Sequence, residues 1–216
     1  MKDILSNLND LEISVSSPNL FLLLIDSSGS MFGYMEKMAF ELRKFKDKMT
    51  AMDESSTVII SRWDFSEKID ASDFDKIENF PIDYYADGGT RLYETIICAK
   101  EVLLGTSEEE GAIEILQNQG YDPKVAIIVF SDGEDSDNMY NLERAAAAAV
   151  SEMNDNDIVT AFVCFGDSSR KVAKKLNFRN IDTKYDLEEA FDAISSSCIR
   201  QSMSAVSLTD NFFDNN

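Results

Sequence analysis

The chain contains no histidine. That absence removes the Ser-His-Asp and Cys-His nucleophile systems, a histidine general base, and the zinc ligand sets that include His. An enzyme built on this sequence has to work with carboxylates, Lys, Cys, Tyr or a metal. Positive charge is scarce as well. Twenty Lys and Arg stand against 40 Asp and Glu, a formal net charge of −20. Nucleic acids and anionic membranes are bound through clustered Lys and Arg, so neither is expected as a partner. The three cysteines, Cys98, Cys164 and Cys198, lie far apart with no CxxC pair. An odd count without a framework fits buried thiols in a reducing compartment. No apolar stretch approaches a membrane span, and residues 1–18 carry no continuous signal-peptide core. A cytoplasmic protein is expected.

What the chain does have is enough material for one substantial core. It is 216 residues long, 44% hydrophobic and 28% charged, ordinary values for a globular protein. Residues 20–25, within a strand over 19–26, and 125–130 are uninterrupted apolar runs, the pattern of strands buried on both faces. Residues 57–63 and 158–165 read as further strands, 178–182 as a last one, and 64–74 as the place of a short returning edge strand. Residues 34–51 place Met35, Met38, Phe40, Leu42, Phe45 and Met49 among charges, the pattern of a helix with one core face. Residues 91–104, ending at Gly105, and 138–153, with the alanine run 145–149, predict two more helices. Shorter helices are expected within 106–122 and over 169–176, and a last amphipathic one over 186–203, opened by Asp186 as cap. The acidic segment 70–78 reads as a solvated face, and the polar tail 207–216 as disordered, with a buried or partner-binding Phe212-Phe213 pair as its alternative. Strands alternating with helices give an α/β sheet covered on both faces, with one short antiparallel edge strand. No internal repeat is present.

Three polar stretches interrupt this pattern: Asp26-Ser27-Ser28-Gly29-Ser30, Asp87-Gly88-Gly89-Thr90 and Ser131-Asp132-Gly133. The first and third directly follow the two apolar strands. In a parallel sheet the turns after the carboxyl ends of strands meet at one edge. Asp26, Ser28, Ser30, Thr90 and Asp132 are therefore expected to gather around one hard cation. Carboxylates and hydroxyls are hard oxygen donors, suited to Mg²⁺ or Mn²⁺ and poorly suited to zinc or copper. Two carboxylates and three neutral hydroxyls leave such an ion short of ligands and attractive to one more oxygen, above all an anionic one. Read singly, the parts are ordinary: Asp26 and Ser28 can cap a helix, and Asp-Gly-Gly is a common turn.

In combination they resemble a von Willebrand factor A (vWA) domain. The resemblance rests on LLLIDSSGSM at 22–31, YADGGTRLYETI at 85–96 and VAIIVFSDGEDS at 125–136, and extends over residues 19–203. It leaves an N-terminal arm, 1–18, and an acidic tail, 204–216. The resemblance implies a doubly wound, mostly parallel, Rossmann-like sheet carrying a metal-ion-dependent adhesion site. Ser28, Ser30 and Thr90 would ligate Mg²⁺ (or Mn²⁺) directly, and Asp26 and Asp132 directly or through water. The function implied is non-enzymatic protein binding, with a partner's Asp or Glu completing the coordination. The chain is most similar to small intracellular bacterial and phage members, which act beside AAA+ ATPases or in stress-response clusters. In some adhesion domains the last helix shifts with coordination. Two other functions stay open at this point. One is a structural scaffold with a vestigial site. The other is a metal-dependent phosphohydrolase with Asp26 as nucleophile, although the family that uses such an aspartate wants a second Asp where this chain has Ser28.

Overall fold

In the computed structural model of the chain, residues 4–52, 58–133, 140–205 and 207–213 are described. The elements, in order, are β1 (Asn19–Asp26), a 3-10 turn (Gly29–Tyr34), α1 (Met35–Met52), β2 (Val58–Phe65), β3 (Ile69–Ala71), β4 (Asp75–Lys76), α2 (Leu92–Leu104), α3 (Ala112–Asn118), β5 (Lys124–Ser131), α4 (Tyr140–Asp155), β6 (Val159–Phe165), α5 (Ser168–Lys175), β7 (Asn180–Lys184) and α6 (Leu187–Met203). They form one sheet in the order β3-β2-β1-β5-β6-β7, with β4 also paired to β2. The five long strands are parallel, and the two short ones run antiparallel to β2. The expected antiparallel edge is present, and the same returning chain touches β2 a second time through β4.

The two-residue alternation of a strand explains how one apolar run serves two cores. Leu20, Leu22 and Leu24 of β1 face the side covered by α2, α3, α4 and α5, where Ile96, Leu116, Val150 and Leu176 are buried. Phe21, Leu23 and Ile25 face the side covered by α1 and α6, where Leu42, Phe45, Phe191 and Ile194 are buried. All eight residues of β1 are buried, which is why the run contains no polar residue between Asn19 and Asp26. The sheet is doubly wound, with helices on both faces.

Local patterns misplace three features. Phe40 was expected on the core stripe of α1 but is 56% exposed, with Lys44 over its ring at 5.7 Å. The stripe actually follows Met38, Leu42, Phe45 and Met49, and Phe40, two residues from Met38, falls on the opposite side. The 70–78 segment does expose Asp70, Asp73 and Glu78, yet it anchors itself through buried Phe74 and Ile77. The tail is docked rather than free over its described part. Phe212 is fully buried in the core layer on the α1 and α6 side of the sheet, and its N–H donates to Asn180 Oδ1 at 2.8 Å. Asn180 Nδ2 donates to the Thr209 carbonyl at 2.7 Å, and Arg200 donates to the carbonyls of Asn211 and Phe212. The expected helix start at Asn138 lies outside the described residues. Cys164 and Cys198 are buried as expected and Cys98 half-buried; burial pushes the Cys164 thiol up to about 11.

Truncating a fully buried phenylalanine removes both transfer energy and packing. Phe212→Ala is therefore expected to lower the unfolding free energy by about 3 kcal/mol, read from urea unfolding. A loss no larger than that of a surface substitution, about 0.5 kcal/mol, would mean that the tail does not belong to the core.

Candidate metal site

Asp26 ends β1, and Ser131 ends β5, its neighbour in the sheet. The register pairs Ile25 with Phe130, so the next residue of each strand meets the other at the carboxyl edge. There Ser131 Oγ donates to Asp26 Oδ2 at 2.6 Å, and the Ser28 N–H closes a tight turn onto Asp26 Oδ1 at 2.9 Å. Tyr84 donates its phenol to the Asp26 carbonyl. Asp26 is fully buried. Burial pushes its carboxyl above the ordinary range, the bonds from Ser131 and Ser28 pull it back, and the charge of Asp132 adds a smaller upward push.

From Asp26 the turn leads outward. Ser28 Oγ lies 3.0 Å from Ser30 Oγ, and Ser30 Oγ donates to Asp132 Oδ1 at 3.0 Å. Asp132 is half-buried, Ser30 exposed, and the Asp132 carbonyl accepts from Ser168 at the start of α5. Four of the five expected residues thus form one connected group. The fifth, Thr90, is buried in the loop before α2. Its loop is fastened to the same turn: Gly29 N–H donates to the Gly88 carbonyl and Asp87 N–H to the Ser27 carbonyl, both at 2.9 Å. The glycines permit this contact. A Cβ on Gly29 would stand 3.3 Å from the Gly88 oxygen. Gly88 has φ +75°, and a Cβ there would meet Glu67 at 2.7 Å.

The spacing of the outer oxygens bears on what they can hold. Ligands about 2.0–2.1 Å from a Mg²⁺ at right angles to one another lie about 2.9 Å apart. The Ser28–Ser30 and Ser30–Asp132 oxygen pairs are each 3.0 Å apart, close to that spacing and equally the length of the hydrogen bonds they make, so the hard oxygen donors present are of the kind a small hard cation takes. Among the described residues no cluster of three or more His, Cys, Asp or Glu side chains could hold a metal. The set proposed from sequence contains only two carboxylates and relies on hydroxyls for the rest. Residues 134–139, which follow Asp132 and Gly133, lie outside the described residues.

Two contributors escaped the sequence reading. Ser131 was visible in its motif but has a supporting task, holding the buried carboxylate of Asp26. Tyr84 carried no local signal, because its bond to Asp26 spans 58 positions.

No family model matches the chain, and no curated protein does. Solved structures do match. The pilus adhesin SpaC from Lactobacillus rhamnosus GG, in its open conformation, superposes with a TM-score of 0.63 at 12% identity over 88% of this chain and 31% of that one. The SpRpn10 VWA domain gives 0.57 at 14% identity, over 87% of this chain and all of that one. The manganese-loaded TRAP protein of Plasmodium vivax gives 0.50 at 12% identity, over 84% of this chain and 73% of that one. The chain has the von Willebrand factor A fold. It spans about a third of the length of SpaC and the whole of the SpRpn10 domain.

The hydrogen bonds around Asp26 yield a paired expectation. Ser131→Ala leaves a buried carboxylate oxygen without its donor and is expected to cost about 1–3 kcal/mol in urea unfolding. Ser27→Ala, next in the chain, removes a hydroxyl that is not one of the donors to the Asp26 carboxylate and is expected to cost less. Equal losses in the two variants would contradict the assignment of Ser131 as the support of Asp26.

Proposed function

We propose that the chain is a metal-ion-dependent protein-binding module. The observation that supports this reading is the linked group of hard oxygen donors Ser28, Ser30 and Asp132 at the carboxyl edge of the sheet, beside buried Asp26. Ser28, Ser30 and Asp132 would hold the ion, with Thr90 approaching from the loop before α2. Asp26, whose two oxygens already accept bonds from Ser28 and Ser131, would contribute its charge from beneath. When bound, the ion supplies a Lewis-acidic position for one further oxygen. Exposed Ser30 and half-buried Asp132 put that position at the surface, where a carboxylate of a protein partner reaches it. The unit that binds is residues 19–203, onto which the arm 1–18 packs through Leu8 and the tail 204–216 through Phe212.

The TRAP protein, which shares the fold, is manganese-loaded, and SpaC is an adhesin, which supports the same reading. A nucleophilic role for Asp26 is disfavoured by its burial and by the commitment of both its oxygens. The charge balance of −20 argues against nucleic acid and anionic membrane as partners. Among the described residues, no helix is long and apolar enough to cross a membrane. Within this reading the protein is cytoplasmic, and an AAA+ ATPase or a stress-response protein presenting Asp or Glu is the partner to try first.

Thermal unfolding against Mg²⁺ tests the site. At about one hundred times Kd, a specific ion adds about 2.7 kcal/mol. For a chain of this size that is on the order of 5–10 °C in Tm. The shift is expected in the wild type and absent in Asp132→Ala and in Ser30→Ala, the latter a change at an exposed position. Equal shifts in all three proteins would mean that Mg²⁺ acts only on the general negative charge, and would support the scaffold reading instead.

A further inference from the structure

In a chain with a net charge of −20, one surface element is basic. α5 carries Arg170, Lys171, Lys174 and Lys175, Arg179 follows it, and no Asp or Glu occurs between Asp167 and Asp182. Ser169, Val172, Ala173 and Leu176 are buried on the inner side, and all five cations are exposed. Positions 170 and 174, like 171 and 175, lie one turn apart, so the four helical cations form a single outward stripe.

Two features leave this charge unbalanced within the fold. The first is pairing. Lys175 meets Glu143 at 3.3 Å and Arg179 meets Asp210 at 4.0 Å, while Asp182 is taken by Lys184 and Asp167 accepts from Tyr185. Among the described residues, Arg170, Lys171 and Lys174 form no ion pair. Arg170 donates to the neutral Thr183 hydroxyl at 3.0 Å. The second is position on the helix. Cations stabilise the last turn of a helix and oppose its dipole in the first. Lys174 and Lys175 lie in the last turn, but Arg170 and Lys171 lie in the amino half, and the first turn holds no acid. Like charges four residues apart, Arg170 with Lys174 and Lys171 with Lys175, add to that cost. An anion from outside relieves both.

α5 also begins at the metal site. Ser168 Oγ donates to the Asp132 carbonyl at 2.7 Å, so the stripe starts beside a residue expected to hold the ion. The sheet order puts β6, which leads into α5, on one side of the β1–β5 pair and β2 on the other. On the β2 side Glu67 and Asp70 of the β2–β3 hairpin are exposed, as are Asp83 and Asp87 in the loop before α2. The surface around the site is thus acidic toward β2 and basic toward α5.

We propose that α5 extends the partner-binding surface and receives an acidic protein segment, one whose Asp and Glu side chains continue past the carboxylate that reaches the metal. The eight residues of α5 span about 12 Å. About four residues of an extended segment cover that length. A longer polyanion such as a nucleic acid would run on over the acidic surface of the rest of the chain. The stripe stands on its own charges, and its sharing of one partner with the metal rests on the function proposed above.

Two capped peptides separate the stripe from the metal. Acetyl-Glu-Gln-Gln-Gln-amide offers one carboxylate, and acetyl-Glu-Glu-Glu-Glu-amide offers four. Titrated in Mg²⁺ and followed by amide chemical shifts, the second is expected to bind about fivefold more tightly or better, with added shifts along 168–175. R170Q/K171Q/K174Q is expected to abolish that difference, R170K/K171R/K174R to keep it, and high salt to shrink it. Equal affinities, no shifts at 168–175, a difference that survives in the Gln variant, or a short oligothymidylate binding there as tightly as the acidic peptide would overturn the proposal. In EDTA the four-carboxylate peptide is expected to retain its shifts at 168–175. Those shifts, with no response of the single-carboxylate peptide to Mg²⁺, would keep the stripe and remove the metal-dependent reading. A Mg²⁺-dependent response to one carboxylate with no gain from the other three would keep the metal site and overturn the stripe.

Discussion

Everything at the functional edge depends on the pairing of β1 with β5. From β1 the chain moves to β2 on one side, and later from β5 to β6 and β7 on the other, so the winding direction changes between these two strands. At such a point the loops leave in opposite directions and open a crevice above the carboxyl ends. Asp26 and Ser131 are the last residues of the two strands, and their 2.6 Å bond closes the floor of that crevice. A slip of one residue would turn Leu22 and Leu24 to the wrong layer and separate this pair, so the two cores that fix the register also fix the site.

The molecule treats two inward carboxylates, half-buried Asp64 and fully buried Asp26, differently. Asp64 and Asp26 are both raised above the ordinary range by burial. Asp64 has a guanidinium against it, and Arg62 in turn is satisfied by the Pro81 carbonyl. Asp26 is surrounded by two serines and an N–H, with a second carboxylate, Asp132, as its nearest charged influence. A structural role would be served by the first arrangement. The second leaves a carboxylate at the floor of a crevice with only dipoles to support it.

Much of this was legible locally, and the exceptions share a cause. β1, β5 and β6 announce themselves because strands buried on both faces tolerate no polar interruption, and α2 stops where Gly105 takes φ +81°. The motif residues Asp26, Ser28, Ser30 and Asp132 meet because strand ends must share an edge, a consequence of topology rather than of spacing. Phe40 was misassigned because a loose apolar count was read instead of the narrower stripe through Met38, Leu42, Phe45 and Met49. Phe212 looked like part of a polar tail because its partners, Asn180 and Arg200, sit on β7 and α6, out of reach of any local pattern. Tyr84 belongs to the same class: its significance lies in the Asp26 carbonyl that faces it across the fold.

The tail also bears on whether α6 can move when the site changes coordination. At its amino end α6 is held to α1 by Lys37–Asp186, Lys44–Glu188 and Lys48–Asp192, solvent-exposed pairs that salt weakens readily. The carboxyl end is fixed differently. Lys124 Nζ donates to the carbonyls of Gln201, Ser202 and Ser204, and Phe212 is seated in the core with Arg200 holding the chain on either side of it. Displacing α6 along its axis breaks the Lys124 bonds and unseats an aromatic ring whose burial contributes about 3 kcal/mol. Coupling between sites in proteins is typically about 1–3 kcal/mol. The seated tail therefore opposes a shift of α6 by about as much as such a coupling supplies. The carboxyl end of α6 is in this way tied down through the core, whereas the ion pairs that tie its amino end lie at the surface.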